Sequence, residues 1–297
     1  MATSVSPTSE AVSILGPVFD LLNDCDVTEI SMNADDDVWV SRFSCRPRCE
    51  VTWDVASAER LIRWCVSNSG GIIDSNQPIA SMTVPGFHHR IEALLPPVVN
   101  APAFSIRRHT DIVVKLDQFD WSDSNDMGRI ARAYSAQRRS IVIAGATGSG
   151  KTTFANACLA ILAEYRDDER LVVIEDTPEL RSRLRNTVYL RTSRTVDQQR
   201  LLISTLRLAP DRIVVGECRD GRAALTLLKA WNTGHRGGLT TLHANNASEV
   251  VTRLAMLCSE VAVTSQEELI RSTVDLVVFL DRGAVRPVVR EVLEVHS

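Results

Sequence analysis

Gly145-Ala146-Thr147-Gly148-Ser149-Gly150-Lys151-Thr152 lies near the middle of a chain of 297 residues. It fits G-x-x-x-x-G-K-[ST], the loop that cradles phosphate groups. Its flanks supply the context that the pattern needs. The apolar run Ile141 to Ala144 predicts a buried strand, and Thr153 to Tyr165 predicts a helix. A strand then delivers the loop, and the helix N-terminus turns unpaired backbone N–H groups toward an anion. Glycines allow the backbone to approach that anion without a Cβ in the way. On this reading Gly145, Ala146, Thr147, Gly148, Ser149, Gly150, Lys151, Thr152 and Thr153 line a nucleotide site. Lys151 reaches the β- and γ-phosphates, and the Thr152 hydroxyl ligates Mg²⁺.

Downstream of the loop, short apolar runs repeatedly end in polar residues. Leu171 to Ile174 predicts a buried strand with Glu175 and Asp176 at its C-terminal end, the edge where doubly wound sheets bind ligands. A helix is expected over Val196 to Leu208. Asp211-Arg212-Ile213-Val214-Val215-Gly216-Glu217 has the form of a Walker B strand, with Glu217 as the acid for Mg²⁺ and for the attacking water. Leu239 to His243 predicts a strand that ends on His243, beside Thr240, Thr241 and Asn245. A histidine there is placed to sense a γ-phosphate or hold a water. No N-K-x-D guanine-reading segment occurs, which favours ATP over GTP. Val274 to Leu280 and Val288 to Val295 predict a closing hairpin across Asp281-Arg282-Gly283.

Upstream, Met1 to Thr8 reads as a disordered lead-in. A helix is expected within Val12 to Leu22, where Pro17 sets its start. Val27 to Met32 and Val38 to Phe43 predict a hairpin, with Val51 to Trp53 as a third strand. Ala56 to Val66 predicts a helix, and Arg90 to Leu95 and Phe104 to Arg108 two more strands. Residues 110–125 are acidic and polar and read as a connection between domains. Met127 to Gln137 predicts a helix capped by Ser124 or Asn125.

Composition narrows the class. A hydrophobic content of 44% with 24% charged residues is that of a globular protein. No stretch approaches eighteen apolar residues and no signal peptide is evident, so a cytoplasmic protein is expected. Seven cysteines without a framework of spacings suit reduced thiols. Cys45 and Cys49 lack two further ligands for a metal. A formal net charge of −4 argues against direct nucleic-acid binding by the chain as a whole.

Taken together, the P-loop, the acidic box Ile174 to Leu180, the Walker B segment Ile213 to Glu217 and the His box Thr233 to Asn245 resemble those of the traffic ATPases of bacterial type II and type IV secretion systems. The Thr-Leu-His-Ala-Asn form of the His box is specific to them. Val27 to Asn33, Arg90 with Leu94-Leu95-Pro96-Pro97, and Ser105-Ile106-Arg107 resemble their N-terminal domain. Within the family the chain is most similar to the TrbB-like conjugal-transfer ATPases. The four-cysteine zinc module of type II members is missing.

The resemblance implies an α/β fold with a RecA-like ATPase domain over residues 126–297, preceded by a smaller α+β domain over 10–109 and a linker over 110–125 that serves as a hinge. It implies a homohexamer with ATP held between the two domains. In it Arg90 and Arg107 contact nucleotide phosphates, Glu175 and Glu217 are catalytic acids, and His243 couples hydrolysis to movement. Arg194, Arg200, Arg207, Arg212 and Arg219 are candidates for action across a subunit interface. The implied role is a motor at the cytoplasmic face of the inner membrane, peripherally associated through secretion-channel proteins. A pilus-retraction motor and a non-motor ATP-binding assembly factor stand as alternatives.

Overall fold

The computed structural model describes residues 9–42, 47–87, 89–108, 114–193, 195–283 and 286–295. The expected lead-in, Cys45, Phe43 at the end of the second strand, and Arg194 lie outside them. The chain divides into two compact units between Asp111 and Ile112.

The first unit runs α1 (Ser9–Leu15), α2 (Val18–Asn23), β1 (Val27–Met32), β2 (Asp37–Arg42), β3 (Arg48–Thr52), α3 (Val55–Asn68), β4 (Ile79–Thr83), β5 (Arg90–Leu94) and β6 (Ala103–Arg107). The single helix expected within Val12 to Leu22 is instead two. Gly16 takes a φ of +50°, which breaks the ladder, and Pro17 follows it. The strands form an antiparallel sheet in the order β3-β2-β1-β6-β5-β4. Period-two alternation buries one face: Ile30, Met32, Val38, Val40, Ile91, Phe104 and Ile106 share a core with Leu15, Val18, Leu61 and Ile62 of the helices. The other face carries Glu29, Ser105, Arg90 and Arg107.

The second unit runs β7 (Asp120–Trp121), α4 (Asn125–Ser135), β8 (Ile141–Gly145), α5 (Lys151–Tyr165), β9 (Leu171–Glu175), β10 (Thr187–Arg191), α6 (Gln198–Thr205), β11 (Arg212–Val215), α7 (Gly221–Asn232), β12 (Leu239–Leu242), α8 (Glu249–Ser259), α9 (Glu267–Thr273), β13 (Leu276–Asp281) and β14 (Val288–Glu294). Its sheet has the order β10-β9-β11-β12-β8-β13-β14-β7. The strands from β10 to β13 pair in parallel, and β13 with β14 is the expected hairpin. Helices cover both faces, so the central strands are apolar throughout. Ile141 and Ile143 of β8 pack with Phe154 and Leu159 of α5. Val142 and Ala144 face Leu227, Leu254 and Ile270 of α7, α8 and α9.

The acidic stretch expected as a linker is, from residue 114 onward, part of this second unit. Leu116 and Phe119 are buried in its core, β7 pairs with β14, and the Trp121 indole donates to the Leu116 carbonyl at 2.9 Å. Apolar residues interleaved with the aspartates outweigh the charge. Arg212 also departs from expectation. It is fully buried, paired with Glu169, donates to the carbonyls of Tyr134 (2.6 Å), Gly237 (3.1 Å) and Ser135 (3.2 Å), and lies over the Tyr134 ring. It braces the N-terminal edge of the sheet and is not available to another subunit. Glu169→Ala removes the carboxylate from that buried guanidinium, and is expected to destabilise the second unit by about 3–5 kcal/mol, read from its urea unfolding midpoint.

Candidate nucleotide-binding site

The P-loop grows directly from the buried end of β8. Gly150, at φ +89°, caps α5 in the left-handed region, and a Cβ there would lie 2.6 Å from Pro287 of the closing hairpin. The loop is therefore confined on its outer side as well as by its own turns. Ser149 is buried, and its hydroxyl has no hydrogen-bond partner among the described residues. An orphaned buried hydroxyl in a glycine cradle at a helix N-terminus fits an anionic ligand that would complete it. Thr152 and Thr153 stand half-buried in the first turn of α5.

Lys151 is the cation of the loop. Its Nζ donates to the carbonyls of Gly145 and Ala146, both at 2.8 Å, and lies 3.4 Å from Nδ1 of His243. An ammonium has no acceptor, so Nδ1 must accept and the ring proton resides on Nε2. Nε2 in turn lies 2.7 Å from Oε1 of Glu217. That contact is close but poorly aligned, and Oε1 has no well-directed donor among the described residues. The other carboxylate oxygen, Oε2, accepts from Nε of Arg219 at 2.7 Å, and Arg219 stands 3.8 Å from Asp176. Lys151, His243, Glu217 and Arg219 thus form one connected chain of polar contacts.

The backbone under Glu217 is fixed from three sides. The Thr241 hydroxyl donates to the Gly216 carbonyl at 2.8 Å, Cys218 N–H donates to the Thr241 carbonyl at 2.9 Å, and the Gln198 amide donates to the Glu217 carbonyl at 3.1 Å. Gln198 carried no sequence signal, being one of a run of polar residues at the start of α6.

Glu175 ends β9 and is buried. Its Oε1 accepts from the N–H groups of Glu179 (2.9 Å) and Leu180 (2.7 Å), which folds the acidic box back onto the strand. Burial pushes its carboxyl up to about 7, against the opposing pull of those two N–H groups. Gly216 lies beside it, where a Cβ would meet Glu175 Cγ at 3.2 Å.

The two arginines of the first unit are placed on β5 and β6. Arg90 and Arg107 are directly opposed in the register of those strands, on the face of the sheet turned away from that unit's core. Neither guanidinium has an ion pair or side-chain hydrogen bond among the described residues. Glu29, across from Arg107 on β1, accepts instead from Ser105 at 2.7 Å. Arg108 behaves differently. It donates to the carbonyls of Leu22 (3.2 Å) and Cys25 (3.0 Å) and so braces the end of α2.

Residues 15–284 match the family model described as type II/IV secretion system protein. The chain belongs to that family. Among its secretion-family relatives, the conjugal transfer protein TrbB of Rhizobium radiobacter is 44% identical over 93% of this chain and 86% of its own length. The crystal structure of the VirB11 ATPase from the Brucella suis type IV secretion system superposes with a TM-score of 0.51 at 26% identity, covering 96% of this chain and 98% of that one. The Legionella pneumophila ATPase DotB shares the fold, with a TM-score of 0.64 at 20% identity over 97% of this chain and 80% of that one. These two structures bear out the expected fold class, a RecA-like unit preceded by a smaller α+β unit. No helix among the described residues is long and apolar enough to cross a membrane.

The raised ionisation of Glu175 has a definite sign. Below about 4.5, its ordinary value, folded and unfolded chains both hold the proton; up to about 7 only the folded chain does. Stability therefore falls as pH rises through that window. Glu175→Gln is expected to flatten the decline of Tm between about pH 4.5 and 7, as read by calorimetry of the two proteins side by side.

Proposed function

We propose that this protein is an ATP-hydrolysing motor of a type IV secretion or conjugation system, working as a homohexamer at the cytoplasmic face of the inner membrane. The observation that carries the reading is the chain from Lys151 through His243 to Glu217. It ties the P-loop cation to a carboxylate suited to activating water. In this reading the backbone from Gly145 to Thr153, with Lys151, binds the triphosphate. Glu217 accepts the proton of the attacking water. His243, held between Lys151 and Glu217, passes the change at the phosphates to the carboxylate and from there to the fold. Glu175 is the second acid, protonated up to neutral pH.

The Thr152 hydroxyl and the Glu217 carboxylate are hard oxygen donors of the kind Mg²⁺ takes, and the bound ion would neutralise charge on the β- and γ-phosphates. Arg90 and Arg107 are phosphate ligands in the same reading. Two like charges directly opposed on a sheet are unfavourable on their own, and an anion between them relieves the repulsion. The Brucella suis VirB11 ATPase was crystallised in complex with sulphate, which accords with an anion site in this family. Partners are secretion-channel proteins that hold the ring at the membrane.

Glu217→Gln keeps the shape and a hydrogen-bonding oxygen but loses the base. It is expected to bind MgATP with about the parent's affinity and to hydrolyse it at least about a hundredfold more slowly. An unchanged rate would remove Glu217 from the chemistry. For the parent, mass in solution and specific activity should rise together with protein concentration as the ring assembles. A monomer with full, concentration-independent activity would leave an ATPase and overturn the ring motor.

A further inference from the structure

The hairpin β13–β14 places a second cation on the P-loop. β13 lies beside β8 in parallel, with Leu280 paired to Gly145. Arg282 stands two residues past Leu280, as Thr147 stands two residues past Gly145. Arg282 Nη2 donates to the Thr147 carbonyl at 2.9 Å. A Cβ added at Gly148 would run into the guanidinium, so that glycine leaves the room the arginine occupies. Pro287, just before the returning strand, seats the hairpin against Gly150. The contact is thus supported from both sides of the hairpin.

Charge makes this more than a brace. The guanidinium is exposed and has no carboxylate within ion-pair distance among the described residues. The neighbouring Asp281 is engaged elsewhere: Oδ1 accepts from the backbone N–H of Arg282 at 2.8 Å, and Oδ2 lies 3.5 Å from Nε of Arg290. Lys151 and Arg282 therefore both bond to carbonyls of the same short turn, at the positive end of α5. Such a concentration of positive charge is unfavourable until an anion enters it. A guanidinium has five N–H donors in a planar fork; one engages Thr147, and others remain for phosphate oxygens.

We propose that Arg282 is a nucleotide-phosphate ligand supplied by the closing hairpin of the same chain. The inference rests on the reading of the P-loop as a nucleotide site. It makes the hairpin part of that site, so that nucleotide binding is felt directly at β14 and at β7 beyond it.

Arg282→Gln is the decisive variant, because the amide still offers an N–H to the Thr147 carbonyl while the charge is gone. In calorimetric titration of the full chain with MgADP, the Kd is expected to rise about tenfold, as for the loss of one charge-assisted hydrogen bond. Its dependence on salt should become shallower. Arg282→Lys should recover part of the affinity. Without nucleotide, Tm should stay within about 2 °C of the parent, as for an ordinary surface change. An unchanged Kd overturns the proposal. So does a lowered Tm without nucleotide combined with an unchanged Tm increment on adding MgADP, since that is the signature of a brace. Lys151→Ala serves as the control. If the parent itself fails to bind MgADP, the nucleotide reading falls and takes this proposal with it; binding that is lost in Lys151→Ala but intact in Arg282→Gln sinks this proposal alone.

Discussion

An ammonium group can donate hydrogen bonds and cannot accept them, and the polar centre of this protein follows from where one such group is put. Lys151 sits on the carbonyls of Gly145 and Ala146 and beside Nδ1 of His243. That placement fixes the histidine tautomer, sets the protonated Nε2 against Glu217, and leaves the other carboxylate oxygen for Arg219. Any anion that draws Lys151 off the loop carbonyls also disturbs His243, and through it the carboxylate. In the proposed reading, ligand arrival and orientation of the candidate base are coupled through a path two side chains long, from Lys151 through His243.

The sheet makes such short coupling workable because it holds still. β8 is buried on both faces, with alternate residues locked into two separate helix layers. β9, β11 and β12 end at the same edge and are tied there by Gly216 N–H to Ile174, Thr241 to Gly216 and Cys218 to Thr241. The first unit is built on a different plan. The core of that unit lies on one face of its sheet, and alternate residues of β5 and β6, Arg90 and Arg107 among them, stand on the other.

How much of this could be read from the residues depended on how local each signal was. The P-loop, the Walker B strand and the His box are short runs whose neighbours in sequence are also their neighbours in the fold. The helices α8 and α9 carried no expectation, and neither did two strands held mainly by their neighbours. β4 and β10 are sheet-edge strands with little burial, Ile79–Thr83 and Thr187–Arg191, and neither has an apolar run longer than three residues. The stretch after residue 113 looked like a linker because Asp117, Asp120 and Asp123 break up its apolar residues, although Leu116 and Phe119 are the ones that decide its place. Gln198 and Arg282 reach the site over long separations in sequence, which no spacing could reveal. Arg107 and Arg108 differ only in which side of the chain they leave, and one alternation step separates an open guanidinium from one committed to backbone carbonyls.

The arginines show how the fold sorts a single residue type by what is left for it to bond. Arg212 is enclosed with Glu169, backbone carbonyls and the Tyr134 ring, so its charge is satisfied at all times. Arg219 is satisfied by Glu217, but only while that carboxylate is free to accept. Arg90, Arg107 and Arg282 have no carboxylate partner among the described residues; Arg90 and Arg107 face each other, and Arg282 bonds to the same turn as Lys151. Proximity of like charge raises the free energy of the protein without ligand and lowers that of the complex with a polyanion by comparison. If these groups act as proposed, charge placed this way favours a phosphate-bearing ligand over a neutral one.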